Sequence, residues 1–246
     1  MLVRQSDPAI VNHILNHPSV LPWVIGNKKA PLDASPVIAN TNNIVLACEW
    51  CAFIFAKMTT GIYELHTCVL PEGRGQGTIS AGHEAMDWMF SSTDAAEIVT
   101  RVPRGNIAGD AAMRALGIAP WFKTKPIWPL AGGNVPMTVY RLALLDWITL
   151  AQDRLRVKGK EFHRKLIAAG GAVDHEDDPL HDVYVGAALG MIDGGQIDKG
   201  IIAYDLWASL SGYDTISVVS RDPLLIDIGT GVVMPETGEF RPRLAA

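Results

Sequence analysis

Cysteine is scarce in this 246-residue chain: Cys48, Cys51 and Cys68 are all there are, each inside apolar, strand-like text. An odd number with no repeated spacing excludes a disulfide-stapled secreted scaffold. Cys48 and Cys51 form a C-x-x-C, but no further ligand pair at a matching spacing completes a metal site, so all three read as buried thiols. Basic runs are missing too. With 21 Lys and Arg against 26 Asp and Glu, the net charge is -5, which gives no attraction to nucleic acid. No apolar run reaches the ~20 residues that span a bilayer. The opening MLVRQSDPAIV lacks the apolar stretch of a signal peptide, so the expectation is a reducing, intracellular setting.

What is present is the profile of a folded protein: 48% hydrophobic, 19% charged, with 23 Gly and 15 Pro. The length suits one large domain, or one domain with an appendage. Asp7-Pro8 is a cap followed by proline at the first helical position, and the spacing of Ile10, Val11, Ile14 and Leu15 predicts a helix to about Asn16. Residues 26–43, rich in Asn, Pro, Ala and Lys, read as a loop. Strands follow at Ile44–Cys48, Cys51–Met58 and Ile62–Leu70. In the last, Ile62, Glu64, His66 and Cys68 share one face, and Tyr63, Leu65, Thr67 and Val69 the other.

A glycine loop from Pro71 to Gly77 then leads into a helix, Thr78–Phe90, a strand, Glu97–Val102, and a helix from Asn106 to Leu116 that Gly117 closes. After a proline-rich stretch, Met137–Leu145 reads as the last strand of a first domain, residues 1–145. Residues 146–246 form a mainly helical remainder: Asp146 to about Ala169, then a pair at Asp182–Asp193 and Gln196–Ser211. Short strands at Ile216–Ser220, Leu224–Ile228 and Gly231–Met234 end it. The run Asp174–Asp182, with His175, Glu176 and His181, reads as a solvated acidic loop rather than a metal site. The order of elements calls for a layered α/β or α+β fold: a mixed sheet flanked by helices.

Strand, Glu72-Gly73-Arg74-Gly75-Gln76-Gly77-Thr78, helix is an arrangement that holds anions. Glycines bring consecutive amides together, and the helix adds its positive end, so a pyrophosphate fits. The loop lacks the Gly-Lys-Ser/Thr ending of a P-loop and the glycine spacing of a dinucleotide fingerprint. It resembles instead the signature loop of the GNAT superfamily of N-acetyltransferases. Arg74 and Gly77 match its first two places, while Ile79 stands where that family has Gly or Ala. A second segment adds to the resemblance: Val102-Pro103-Arg104-Gly105-Asn106, Ala108, Ala111, Ala112, then Leu116-Gly117-Ile118.

The resemblance implies a GNAT-like fold and an acetyl-CoA-dependent N-acetyltransferase of unknown acceptor. Leu70, Arg74, Gly75, Gln76, Gly77, Thr78 and Asn106 would then contact the cofactor. Amides near Val69 and Leu70 would stabilise the reacting carbonyl. Glu64 or His66 would act as base, although His66 also reads as an ordinary half-buried strand histidine. Met113 occupies the place of the family's tyrosine acid, and a thioether donates no proton. The alternative is an inactive GNAT scaffold that acts through protein contacts.

The chain is also similar to GNAT-like proteins of tailed bacteriophages. The similarity rests on Asn16-His17-Pro18-Ser19-Val20, Pro22-Trp23, Glu64-Leu65-His66-Thr67, Val102-Pro103, Gly212-Tyr213 and Ile226-Asp227-Ile228-Gly229. It implies a protein of the host cytoplasm or the virion, with virion proteins or copies of itself as partners.

Overall fold

A computed structural model of the chain describes all residues except 27, 131, 171–177, 229–230, 238 and 243–246. The chain divides into two compact units, residues 1–88 with 95–144, and residues 89–94 with 145–246.

The first unit begins with β1 (Val3–Arg4), α1 (Pro8–Leu15), α2 (Leu21–Val24) and α3 (Ser35–Ala39). Asp7 caps α1 as its spacing predicts, its side chain accepting from the Ala9 amide at 2.9 Å. Helix α3 lies inside the stretch expected to be loop. Asp33 organises its start by accepting from the Ser35 amide at 2.9 Å and the Ser35 hydroxyl at 2.7 Å, ahead of Pro36.

Next come β2 (Asn43–Cys48), β3 (Cys51–Thr59), β4 (Ile62–Val69), α4 (Gln76–Ser92), β5 (Glu97–Pro103) and α5 (Ile107–Ala115). β6 (Ala119–Lys123), β7 (Trp128–Leu130), β8 (Gly133–Val135) and β9 (Met137–Ala143) follow. The proline-rich stretch therefore carries strands that its composition conceals. Pro120 is accommodated where the β6 register shifts, between Pro120 and Phe122, so its missing N–H breaks no regular ladder.

The main sheet has the order β1-β2-β3-β4-β5-β9-β6. The pair β4–β5 is parallel, whereas β4 pairs with β3, and β5 with β9, antiparallel. Alternation along the strands builds two faces. Ala52, Ile54 and Cys68 join Val11, Ile14 and Leu15 of α1 in one apolar cluster. Phe53, Phe55 and Leu65, on the opposite face, are fully buried as well. Glycine sets the helix packing there: a Cβ at Gly82 of α4 would lie 2.5 Å from the Leu116 side chain, and one at Gly109 of α5 3.1 Å from Val102.

In the second unit, α6 (Leu144–Leu150) and α7 (Gln152–Ala168) replace the single helix expected from Asp146 to Ala169. The break falls at Ala151 (φ -91°, ψ 2°), which no Gly or Pro announces. α8 (Pro179–Asp193) and α9 (Ile197–Ser211) follow. The strands β10 (Ser217–Arg221), β11 (Leu224–Asp227), β12 (Gly231–Met234) and β13 (Glu239–Pro242) form an antiparallel sheet.

Helices α7 and α8 meet through glycines. A Cβ at Gly159 would lie 2.0 Å from the Asp182 carbonyl oxygen, and one at Gly186 1.9 Å from that of Leu155. Beside this crossing, buried His163 and Asp182 pair at 2.8 Å (Nδ1 to Oδ1), and His181 stacks on His163 with ring centroids 4.9 Å apart. Of the acidic run, residues 174–177 lie outside the described residues. Asp178 caps α8 by accepting from the Leu180 amide at 2.8 Å and also accepts from the Tyr213 hydroxyl at 2.6 Å. Among the described residues, no group of three or more His, Cys, Asp or Glu is placed to hold a metal ion. No described helix is long and apolar enough to cross a membrane.

Candidate functional site

Strands β4 and β5 pair from Ile62↔Glu97 to Leu65↔Thr100, and there the pairing stops. Both continue, but apart: β4 stays on β3 as far as Cys51↔Val69, and β5 stays on β9 as far as Pro103↔Met137. Each strand follows its antiparallel partner, so the sheet opens between them. A cavity of about 460 Å³ occupies the opening, walled by the end of β4, the glycine loop, α5 and the α1–α2 segment.

The opening decides which amides are free to act. Leu70 N–H donates to the Trp50 carbonyl at 2.9 Å, which corrects the expectation that this amide faces a ligand. Amide direction alternates along a strand, so the amides of Val69 and Thr67 turn the other way, toward the edge that β5 has left. The sequence reading named Val69 and missed Thr67. Thr67 lines the cavity, and its hydroxyl oxygen is buried with no hydrogen-bond partner among the described residues. A buried polar atom without a partner is uncommon enough to require a reason.

Two of the loop's glycines have separate physical reasons. Gly75 has φ +84°, a left-handed conformation that only glycine adopts freely. Gly73 has no room for a side chain, because a Cβ would lie 2.0 Å from the Trp50 ring. A Cβ on Gly77 would meet the same ring at 3.4 Å, an ordinary contact. The indole thus supports the loop from behind. The first intrahelical bond of α4 runs from Ile79 N–H to Gly75 O at 3.3 Å, so the Gln76, Gly77 and Thr78 amides precede the helical ladder. The Thr78 hydroxyl is buried and donates to the Gly73 carbonyl at 2.8 Å, so it braces the loop rather than facing outward. Ile79, the departure from the GNAT pattern, is half-buried and lines the cavity.

Arg74 donates to Ser19 Oγ at 2.9 Å. The Ser19 amide donates to His17 Nδ1 at 3.2 Å, so that nitrogen is an acceptor, and the Ser19 hydroxyl, 2.8 Å away, donates to it as well. This chain of bonds ties the α1–α2 segment to the glycine loop. On the facing wall, Asn106 caps α5, its Oδ1 accepting from the Gly109 amide at 3.0 Å. Met113 is buried and lines the cavity.

Glu64 and His66 stand on the other face of β4 from Thr67 and do not contribute to the cavity lining. Glu64 pairs with Arg101 of β5 at 3.2 Å. His66 is exposed, yet the protein mass around it holds its pKa below the ordinary imidazole value. The Glu64 carboxylate opposes that shift, and Arg101 and Lys28 add to it.

One further cluster escaped the sequence reading. The fully buried Tyr140 of β9 donates to Asp110 of α5, which also pairs with Arg114 at 3.0 Å. Burial, then this bond, raises the Tyr140 pKa to about 12. The Asp110–Arg114 spacing is legible along α5, but nothing in the sequence marks Tyr140 as their partner.

No protein-family model and no curated protein matches the chain by sequence. Solved structures do match by fold. Spermidine N-acetyltransferase from Vibrio cholerae, in complex with CoA and spermine, superposes with a TM-score of 0.52 at 11% identity, over 60% of this chain and 97% of that one. A chimera of SpeG from Vibrio cholerae with hSSAT gives 0.51 at 10% identity, over 60% and 97%. Over that 60% of the chain, the fold is that of the GNAT acetyltransferases.

Proposed function

We propose that the opening between β4 and β5 is an acyl-CoA site and that the chain is an N-acetyltransferase. The observation that carries this is the parting of the two strands after Leu65 and Thr100, beside a loop whose amides are grouped at a helix start. The residues present suit the group. The Gln76, Gly77 and Thr78 amides and the Arg74 guanidinium are donors for a pyrophosphate. Val69 and Thr67 offer strand amides along the open edge, and the Thr67 hydroxyl awaits a partner.

Acetyl-CoA, when bound, supplies the activated acetyl group. The chain's own contribution is positional and electrostatic. Fixed amides at the edge of β4 need no reorganisation to meet developing negative charge. Glu64 and His66 hold and release the proton of an amine that approaches on their face of the sheet. The lowered pKa of His66 keeps it neutral, and hence a base, near pH 7. Met113 takes no part in proton transfer.

A second reading, an inactive GNAT scaffold acting through protein contacts, is favoured by Met113 in the place of the tyrosine acid. In either reading the chain is encoded by a tailed bacteriophage. It works in the host cytoplasm or the virion, with virion proteins or copies of itself as partners. What supports that source is the set of resembling segments named above. The enzyme reading is tested by calorimetric titration with acetyl-CoA. Saturable binding is expected, and its absence at millimolar ligand leaves the scaffold reading.

A further inference from the structure

The C-x-x-C lies outside the proposed chemistry, but its geometry is specific. Cys48 and Cys51 are directly opposed across the β2–β3 hairpin, joined only by the turn residues Glu49 and Trp50. Their sulfurs are 3.3 Å apart. Cys48 is partly accessible and Cys51 is buried. Burial, with Cys48 beside it, raises the Cys51 thiol well above its usual range. The pair is therefore ordered in its reactivity: Cys48 meets a reagent from solvent, and Cys51 reaches only Cys48.

Trp50 connects this pair to the glycine loop. Its ring occupies the space a Gly73 side chain would need, 2.0 Å from the Cβ position, and lies 3.4 Å from where a Cβ on Gly77 would stand. Its carbonyl accepts from Leu70 at 2.9 Å, immediately before the loop. Two ties thus run from the turn between the cysteines to the loop. Drawing the sulfurs from 3.3 Å to the ~2.0 Å of an S–S bond alters that turn and shifts the indole against a backbone with no slack.

We infer that Cys48 and Cys51 form a reversible disulfide by exchange with a small-molecule disulfide such as oxidised glutathione, and that its closure repositions the glycine loop through Trp50. In the first step the Cys48 thiolate attacks one sulfur of the reagent, whose S–S bond breaks and releases one thiol. Cys51 then gives up its proton and attacks the Cys48 sulfur, releasing the second thiol. Two cysteines are oxidised, one disulfide is reduced, and two thiols leave. Cys68, buried and opposite Ala52 rather than Cys51 in the β3–β4 register, keeps its thiol. The consequence for acetyl-CoA rests on the acyl-CoA reading of the cleft; the exchange itself does not.

The test treats the full chain with oxidised glutathione and counts free thiols after denaturation. It then follows amide hydrogen exchange at residues 73–77 and acetyl-CoA binding in the reduced and oxidised forms. The thiol count is expected to fall from three to one with no retained glutathione, and Cys48→Ser to retain its remaining thiols. Exchange at residues 73–77 should change several-fold on oxidation and return on reduction. A lasting glutathione adduct on Cys48, or no loss of thiols, overturns the disulfide. Disulfide formation with unchanged exchange at residues 73–77 overturns the link to the loop. Failure of the reduced protein to bind acetyl-CoA refutes the acyl-CoA reading alone, because thiol count and exchange still decide the rest.

Discussion

Replacing Thr67 with Val exchanges a hydroxyl for a methyl of nearly the same size, at a position where that hydroxyl is buried and unpartnered. If the hydroxyl is reserved for a ligand, the change acts with opposite signs on the free and bound protein. A buried hydroxyl without a partner costs about 1–3 kcal/mol, and Val suits a strand as well as Thr does. The free protein should therefore gain about 1 kcal/mol, which for a chain of this size raises Tm by roughly 2–4 °C. A hydrogen bond to ligand is worth about 0.5–1.5 kcal/mol, so acetyl-CoA should bind roughly 2- to 13-fold more weakly. Thermal unfolding with and without saturating acetyl-CoA reads both effects, and Thr67→Ser should restore the wild-type ligand response. A lower Tm for the free Thr67→Val protein, together with an unchanged acetyl-CoA shift, would refute the reasoning. The hydroxyl would then be part of the sheet's own stability.

Two other changes probe the surroundings. Gly73→Ala puts a Cβ 2.0 Å from the Trp50 ring, so it should destabilise by about 1–3 kcal/mol and weaken acetyl-CoA binding; denaturant unfolding and calorimetry check both. For His66, the folded-state pKa is depressed, so the unfolded chain binds its proton first as pH falls. Stability is accordingly lost on acidification from about pH 6.5 downward, through the lower folded-state value. His66→Gln should remove that component, leaving a flatter stability profile as pH falls below about 7; equal slopes for the two proteins would contradict the assignment.

Much of the fold was legible because its signals are local. The period-two text of β3 and β4, the Asp7-Pro8 cap and the glycine loop before α4 each state their own geometry. From sequence alone the loop glycines are accounted for by a tight bend and a bound anion. The structure adds a packing reason, since a side chain at Gly73 would run into the Trp50 ring. No local signal could show this, because it depends on where the β2–β3 hairpin is pinned. The direction of the Leu70 amide depends on the same register, which is why it was expected to face a ligand and instead bonds Trp50. In the sequence Thr67 is one residue of a strand face and of the Glu64–Thr67 segment, and a missing hydrogen bond exists only in three dimensions. The strands around Pro120 and Pro129 were hidden for a related reason: proline reads as a breaker until the register shift and short hairpin that accommodate it are known.

The most direct test of the central claim is a calorimetric titration of the reduced protein with acetyl-CoA, run beside Thr67→Val. The account predicts saturable binding by the wild type and a measurably weaker isotherm for the variant. No heat of binding at millimolar acetyl-CoA, from protein shown to be folded, would contradict an acyl-CoA site between β4 and β5.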